Sequence, residues 1–196
     1  MIMFYALVAL CFSNAALAQL PGWGPCPKVE TMPNFNISDM QGRWFQSRRY
    51  ESLSEMDLKC VIGDVRHGDD KGIVLTNMTA MSRTTGKIIS TTGTKMRVAD
   101  PAEPGKLEVQ SPSSTVWRKH WILGSDYHDY IVGYDCVDLK FTNLKYLWIF
   151  TRQQQPSKTV IDNAVKVIEK QNLNAKWLTI VDQTNCDAVT NSTASE

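Results

Sequence analysis

Residues 37–50 read ISDMQGRWFQSRRY. A short polar turn runs into Gly42-Arg43-Trp44 and then into a segment that reads as a strand. The largest side chain in the repertoire stands two positions after the smallest, at the start of the first predicted strand. Outward from this point, Arg43 to Arg152 is a series of short apolar segments divided by turn signals. Strands are predicted near 43–50, 59–67, 72–80, 87–98, 105–110, 115–123, 128–136 and 145–152. The breaks carry His67-Gly68-Asp69-Asp70, Thr85-Gly86, Asp100-Pro101 with Pro104-Gly105, and Gly124-Ser125-Asp126. Eight strands at hairpin spacing, with no helical period between them, predict an all-β antiparallel barrel or sandwich.

The pattern changes at Pro156. The run SKTVIDNAVKVIEKQN places Val160, Ile161, Ala164, Val165 and Ile168 on one helical face, with Ser157 as N-cap and Asn172 as the stop. The other face is Lys, Asp, Asn and Glu, so the helix is expected to pack outside the sheet. A short strand at 177–180 follows, and the tail after Cys186 is small and polar and is expected to be loose.

The ends and the cysteines indicate export. Residues 1–18, MIMFYALVALCFSNAALA, combine an apolar run with the small-x-small site Ala16-Leu17-Ala18, which reads as a secretory signal peptide cleaved before Gln19. The mature domain is then 19–196. The chain has five cysteines. Removing Cys11 with the signal leaves Cys26, Cys60, Cys136 and Cys186, an even count that implies two disulfides with three possible connectivities. Their wide spacing gives no metal-binding pattern. Sequons at Asn36, Asn77 and Asn191 also fit a secreted glycoprotein. A net charge of +1, mixed along the chain, gives no footprint for nucleic acid. No segment after the signal is apolar enough to span a membrane.

Strand residues alternate faces. A glycan on Asn77 would point outward, which sends Val74, Thr76, Met78 and Ala80 inward. Setting Asp135 outward sends Tyr130, Val132 and Tyr134 inward. For 145–152 the choice stays open between Tyr146/Trp148/Phe150 and Leu147/Ile149. In 115–123, Trp117, Lys119, Trp121 and Leu123 share a face. The expected interior is rich in aromatic side chains, with Trp121, Trp148, Tyr130, Tyr134 and Trp117. The competing account is an ordinary packed core. Buried Tyr hydroxyls and Trp N–H groups need partners, and apolar walls with a few placed polar groups are typical of ligand pockets. Met78, Met81 and Met96 are read as packing rather than redox chemistry.

At this point the chain resembles the lipocalins, and among them the apolipoprotein D and insect bilin-binding protein group, from Cys26 to Cys186. Three motifs carry the likeness: Gly42-x-Trp44 at the first strand, Ser125-Asp126-Tyr127 between the sixth and seventh strands, and Arg152 closing the eighth. The runs GPCPKVETMPNFNISDMQGRWFQ, DYHDYIVGYDC and TIVDQTNC add to it. The resemblance implies an eight-stranded up-and-down barrel with one C-terminal helix outside and a short final strand. It implies that Trp44 and Arg152 stack at the closed end, and that the disulfides are Cys26–Cys136 and Cys60–Cys186. It places Trp121 and Trp148 at aromatic pocket positions, and Val65, Thr76, Met78 and Ala80 on a wall less polar than in the relative.

The function implied is a secreted carrier of a small hydrophobic ligand, such as a fatty acid, a sterol or isoprenoid, a carotenoid or a bilin, with no required cofactor and no metal. For a bilin, Lys119, Lys95 and Arg97 are candidate partners of the propionates. A second class is an extracellular signalling lipocalin that engages a cell-surface receptor through loop residues such as Met56 and Leu58, or forms a noncovalent homo-oligomer. A third class is a lipocalin-type isomerase. That chemistry needs a free cavity thiol, whereas the mature cysteines are expected to be paired. His67, His120 and His128 show no triad or zinc spacing, so no catalytic residue is assigned.

Overall fold

The computed structural model describes residues 21–70 and 72–192. The signal peptide lies outside the described residues. Ten strands form one antiparallel sheet: β1 (Pro21–Trp23), β2 (Gly42–Tyr50), β3 (Leu58–His67), β4 (Ile73–Ser82), β5 (Ile88–Val98), β6 (Lys106–Gln110), β7 (Arg118–Ser125), β8 (Tyr130–Asp138), β9 (Thr142–Thr151) and β10 (Leu178–Ile180). From β2 to β9 each strand pairs with the next, and β9 pairs back onto β2. That last pairing, Phe45↔Thr151 to Arg49↔Trp148, closes an eight-stranded barrel. The two extra strands flank the seam, β1 on β9 and β10 on β2.

The expected strands are all present, with shifts of up to a few residues at their ends. A short 3-10 turn, Ile37–Met40, leads into β2, capped by the Asn36 side chain accepting from the Ser38 N–H. The predicted helix is α1, Lys158–Lys170, with the Ser157 side chain accepting from Val160 N–H at its N-terminus. Asn172, the expected stop, has φ +56 just beyond its end. Ala164 and Ile168 on the buried stripe pack against Leu123, Val132, Leu147 and Ile149 on the outside of the barrel.

The disulfides are Cys26–Cys136 and Cys60–Cys186. The first ties the segment before β2 to the end of β8. The second ties the C-terminal segment to β3. Each closes a long loop, 110 and 126 residues in separation, so each is worth about 4–5 kcal/mol in the chain-entropy picture.

Of the tail that is expected to be loose, 193–196 lie outside the described residues, and the described part is docked. Asp187–Ser192 forms a short helix, α2, and Val189 is fully buried against Cys60, Ile62 and Cys186. The disulfide holds the segment where one apolar residue suffices to dock it. A further correction concerns Leu58: it opens β3 and packs against the Val61, Ala80 and Val181 cluster rather than standing free in a loop.

Candidate ligand cavity

One end of the barrel is closed by a stack. Trp44, 2% exposed, lies under Arg152, whose guanidinium carbon is 3.6 Å from the indole centroid. The guanidinium is fixed by donating to the Arg43 carbonyl (3.1 Å) and the Tyr127 carbonyl (3.1 Å). The Trp44 indole N–H donates to the Met40 carbonyl at 2.6 Å, in the turn that precedes the strand. A cation over an indole face is attractive, and a planar guanidinium can stack and donate sideways at once.

Gly42 has φ +94, and a Cβ there would stand 3.0 Å from the Arg152 guanidinium. Backbone conformation and close approach both require glycine at that position. Ser125-Asp126-Tyr127 shapes the neighbouring turn: Asp126 Oδ1 accepts from the N–H groups of Asp129 and Tyr130 (2.8 and 3.0 Å). Tyr127 then stacks on Phe35, ring centroids 5.8 Å apart.

Above this floor the barrel encloses a cavity of about 310 Å³. Its apolar wall includes Val65, Met78, Met96, Val109, Ile122 and Ile131, and the aromatic side chains Trp148 and Phe150. Thr76 also lines it, its hydroxyl donating to the Met96 sulfur at 3.0 Å. The structure therefore places Val65, Thr76, Met78 and Trp148 on the cavity wall, and decides the open choice on β9 in favour of Trp148 and Phe150. Met81 is on the other side, against the Cys60 cluster.

Three of the expected pocket residues are elsewhere. Tyr130, Tyr134 and Trp121 belong to the cluster on the outside of the barrel, with Leu147 and Ile149. The assumption that Asp135 faces outward is corrected: Ile131, Gly133 and Asp135 are the residues of β8 that line the cavity. The physical reason is the helix. By covering β7 and β8 it removes the solvated face that a charged residue would otherwise take. Trp117 stands outside as well, under the Arg97 guanidinium at 4.0 Å.

Asp135 is accommodated by His120, which lines the same cavity from β7. His120 Nδ1 lies 3.0 Å from Asp135 Oδ1. Burial opposes a charged imidazole, but the adjacent carboxylate outweighs it and raises the pKa of His120 above its ordinary value. A Cβ on Gly133 would lie 3.3 Å from the His120 ring and 3.6 Å from Trp148, so glycine makes room for both rings.

The second polar group is Glu55, which enters from the loop between β2 and β3. It accepts from the Trp148 indole N–H (3.1 Å), from Gln46 (3.2 Å) and from the Ser52 hydroxyl (3.0 Å). Arg49, fully buried, donates to the Gln46 side chain at 3.1 Å and to the backbone carbonyls of Glu55 and Leu58, which fastens that loop to the barrel.

His120, Asp135, Glu55 and Gln46 were not singled out as cavity residues from the sequence. One signal could have found His120 and Asp135: on paired strands, an internal histidine and an internal carboxylate that each sit one position out of phase with the aromatic residues.

The match to known proteins agrees with this architecture. A model of the lipocalin / cytosolic fatty-acid binding protein family matches residues 41–185. The chain is a lipocalin. It is of the apolipoprotein D and insect bilin-binding type: apolipoprotein D of Mus musculus is 26% identical over 95% of this chain and 96% of its own. The Lazarillo protein of Schistocerca americana is 24% identical over 91% and 82%, and the bilin-binding protein of Pieris brassicae 25% over 85% and 91%. Among solved structures, insecticyanin from Manduca sexta superposes with a TM-score of 0.74 at 20% identity, covering 87% of this chain and 92% of the other. These structural likenesses bear on the lipocalin fold alone.

Proposed function

We propose that this lipocalin is a secreted carrier of a small hydrophobic molecule held inside the barrel. The observation that carries the reading is the cavity of about 310 Å³, apolar along most of its wall and stopped at one end by the Trp44–Arg152 stack. A ligand there is driven by removal of its apolar surface from water, worth about 25 cal/mol per Å². Entry is from the opposite end, where the loops 51–57, 83–87, 111–117 and 139–141 gather. The leader-like residues 1–18 and the two disulfides support secretion. The sequons at Asn36, Asn77 and Asn191 are proposed glycan sites, of which Asn77 is partly engaged, its side-chain oxygen accepting from Gly93 N–H.

Among possible ligands, a bilin has support from the bilin-binding relative, but among the described residues its propionates would find no lysine or arginine on this wall. Lys119 lies over Trp121 and Arg97 over Trp117, both outside the barrel, and Lys95 alternates with the cavity residues Thr94 and Met96. A pigment or lipid without a carboxylate suits the cavity better. The test is an absorption spectrum of protein purified from its native source, followed by extraction and mass spectrometry. A stoichiometric lipid or pigment supports carriage. Protein that neither carries a molecule nor takes up any apolar compound on titration would end the reading.

A second reading, recognition at a cell surface, draws on the exposed Leu53 and Met56 beside the mouth. A pull-down that captures the same partner with and without ligand favours it. For an isomerase, the four cysteines among the described residues are all in disulfides, so none offers a thiolate. A reactive thiol on the folded protein would revive that chemistry.

A further inference from the structure

The titratable side chains that line the cavity are two carboxylates and one histidine. Glu55 and Asp135 line it, together with His120, and among the described residues no lysine or arginine does. Two arginines touch lining residues from behind, Arg152 on Trp44 and Arg49 on Gln46, and both are already engaged; Arg152 donates to two backbone carbonyls. Arg49 is the more enclosed. It is fully buried, donates to Gln46 and to two backbone carbonyls, and faces Glu51 at 3.7 Å. With His120 protonated, the three lining groups sum to −1; with it neutral, to −2.

The arrangement around Trp148 brings these groups together. Its indole N–H donates to Glu55 at 3.1 Å, and its ring lies 5.6 Å, centroid to centroid, from the His120 ring, whose Nδ1 is held by Asp135. Glu55 therefore meets the indole directly, and Asp135 reaches it through the His120 ring, in a space that is apolar along most of its wall. Asp135 keeps 23% side-chain exposure, with its Oδ1 covered beside His120, and Glu55 is half-buried.

We propose that this cavity selects an apolar ligand bearing a basic amine and discriminates against the corresponding carboxylate. The inference rests on the carrier reading and names its ligand class. The cavity is the site; the charges decide what may enter it. A ligand ammonium can donate to Asp135 or Glu55 and finds the indole face of Trp148, which also attracts cations. A ligand carboxylate would come to rest beside two others in a space with little water. It would have to take up a proton or leave. At the short separations inside one cavity, repulsion of that kind amounts to at least about tenfold in affinity.

The experiment uses the mature, disulfide-bonded protein and three compounds with the same apolar body: decylamine, decan-1-ol and decanoate. Each is titrated against a neutral fluorescent reporter, N-phenyl-1-naphthylamine, near neutral pH. Decylamine is expected to displace the reporter at about tenfold lower concentration than decanoate or better, with decan-1-ol between them. Glu55→Gln and Asp135→Asn, which keep size and shape, are each expected to narrow the ratio to less than about threefold. The wild-type ratio stands by itself should either variant fold poorly. Decanoate displacing as well as decylamine would overturn the charge selection and leave the carrier reading intact. An amine preference unchanged in both variants would overturn the assignment to these carboxylates. If neither the reporter nor any of the three compounds binds, the carrier reading fails and the inference with it.

Discussion

Ile131 and Ile149 lie on neighbouring strands of the same wall and are almost equally hidden, 3% and 0% exposed. They do different work. Ile131 faces inward onto the cavity, beside Trp44 and Ile122. Ile149 faces outward into a closed layer made with Leu147, Tyr134, Ala164 and Ile168. One face of the wall bounds a space for a guest; the other is the protein's own core. Burial alone does not distinguish them. The distinction is whether the neighbouring atoms belong to the chain.

The sharpest way to break this comparison is to truncate each isoleucine. Ile149→Ala removes contacts from a filled layer and is expected to cost about 2–5 kcal/mol in chemical denaturation, with ligand affinity little changed. Ile131→Ala borders a space that already exists and forfeits fewer contacts, so it is expected to cost at least about 1 kcal/mol less and to alter ligand affinity instead. Equal losses of stability would mean that the cavity is packed in solution.

The closed end supplies the next test. Arg152→Ala removes the stack on Trp44 and both carbonyl contacts, and is expected to lower stability by about 2–4 kcal/mol. An unchanged denaturation midpoint would show that the floor does not depend on the pair.

The smallest effect belongs to the inner polar pair. His120 has a raised pKa in the folded protein, so its stabilisation is complete below its unfolded value of about 6.5 and is lost as pH rises through the higher folded value. Wild-type stability should therefore carry a component that favours the acid side of neutrality. Asp135→Asn should remove it. If the two stability–pH profiles run parallel from about pH 5 to 8.5, the pair is not coupled to folding.

Much of the fold was legible. Alternation between turn signals marks the eight barrel strands, and the stripe Val160, Ile161, Ala164, Val165 and Ile168 marks α1, because both depend on local periodicity. Gly42, Trp44 and Arg152 were readable as a set through the family likeness, and the geometry gives the cause in a stack with 3.6 Å between guanidinium and indole centroid.

The orientation of β8 was not legible. The rule that a charge faces water assumes a solvated outer face, and α1 takes that face from β7 and β8. Once both faces are buried, the charge goes where a partner stands, and His120 is inside. Trp121, Tyr130 and Tyr134 were misassigned for the same reason, since large aromatic residues suit a helix-covered layer as well as a pocket. The docking of Asp187–Ser192 was not legible because a single buried residue, Val189, carries no period.

The most direct test of the account uses the two tryptophans that it separates. Trp148 lines the cavity, and Trp121 lies outside, packed against the outer cluster with Lys106 and Lys119 over its ring. Fluorescence is measured while a bromine-labelled apolar compound is titrated into wild type, Trp148→Phe and Trp121→Phe. Ligand-dependent quenching is expected to fall sharply in Trp148→Phe and to persist in Trp121→Phe. Quenching that disappears with Trp121 and survives the loss of Trp148 would contradict it, and would put the guest on the side assigned here to the core.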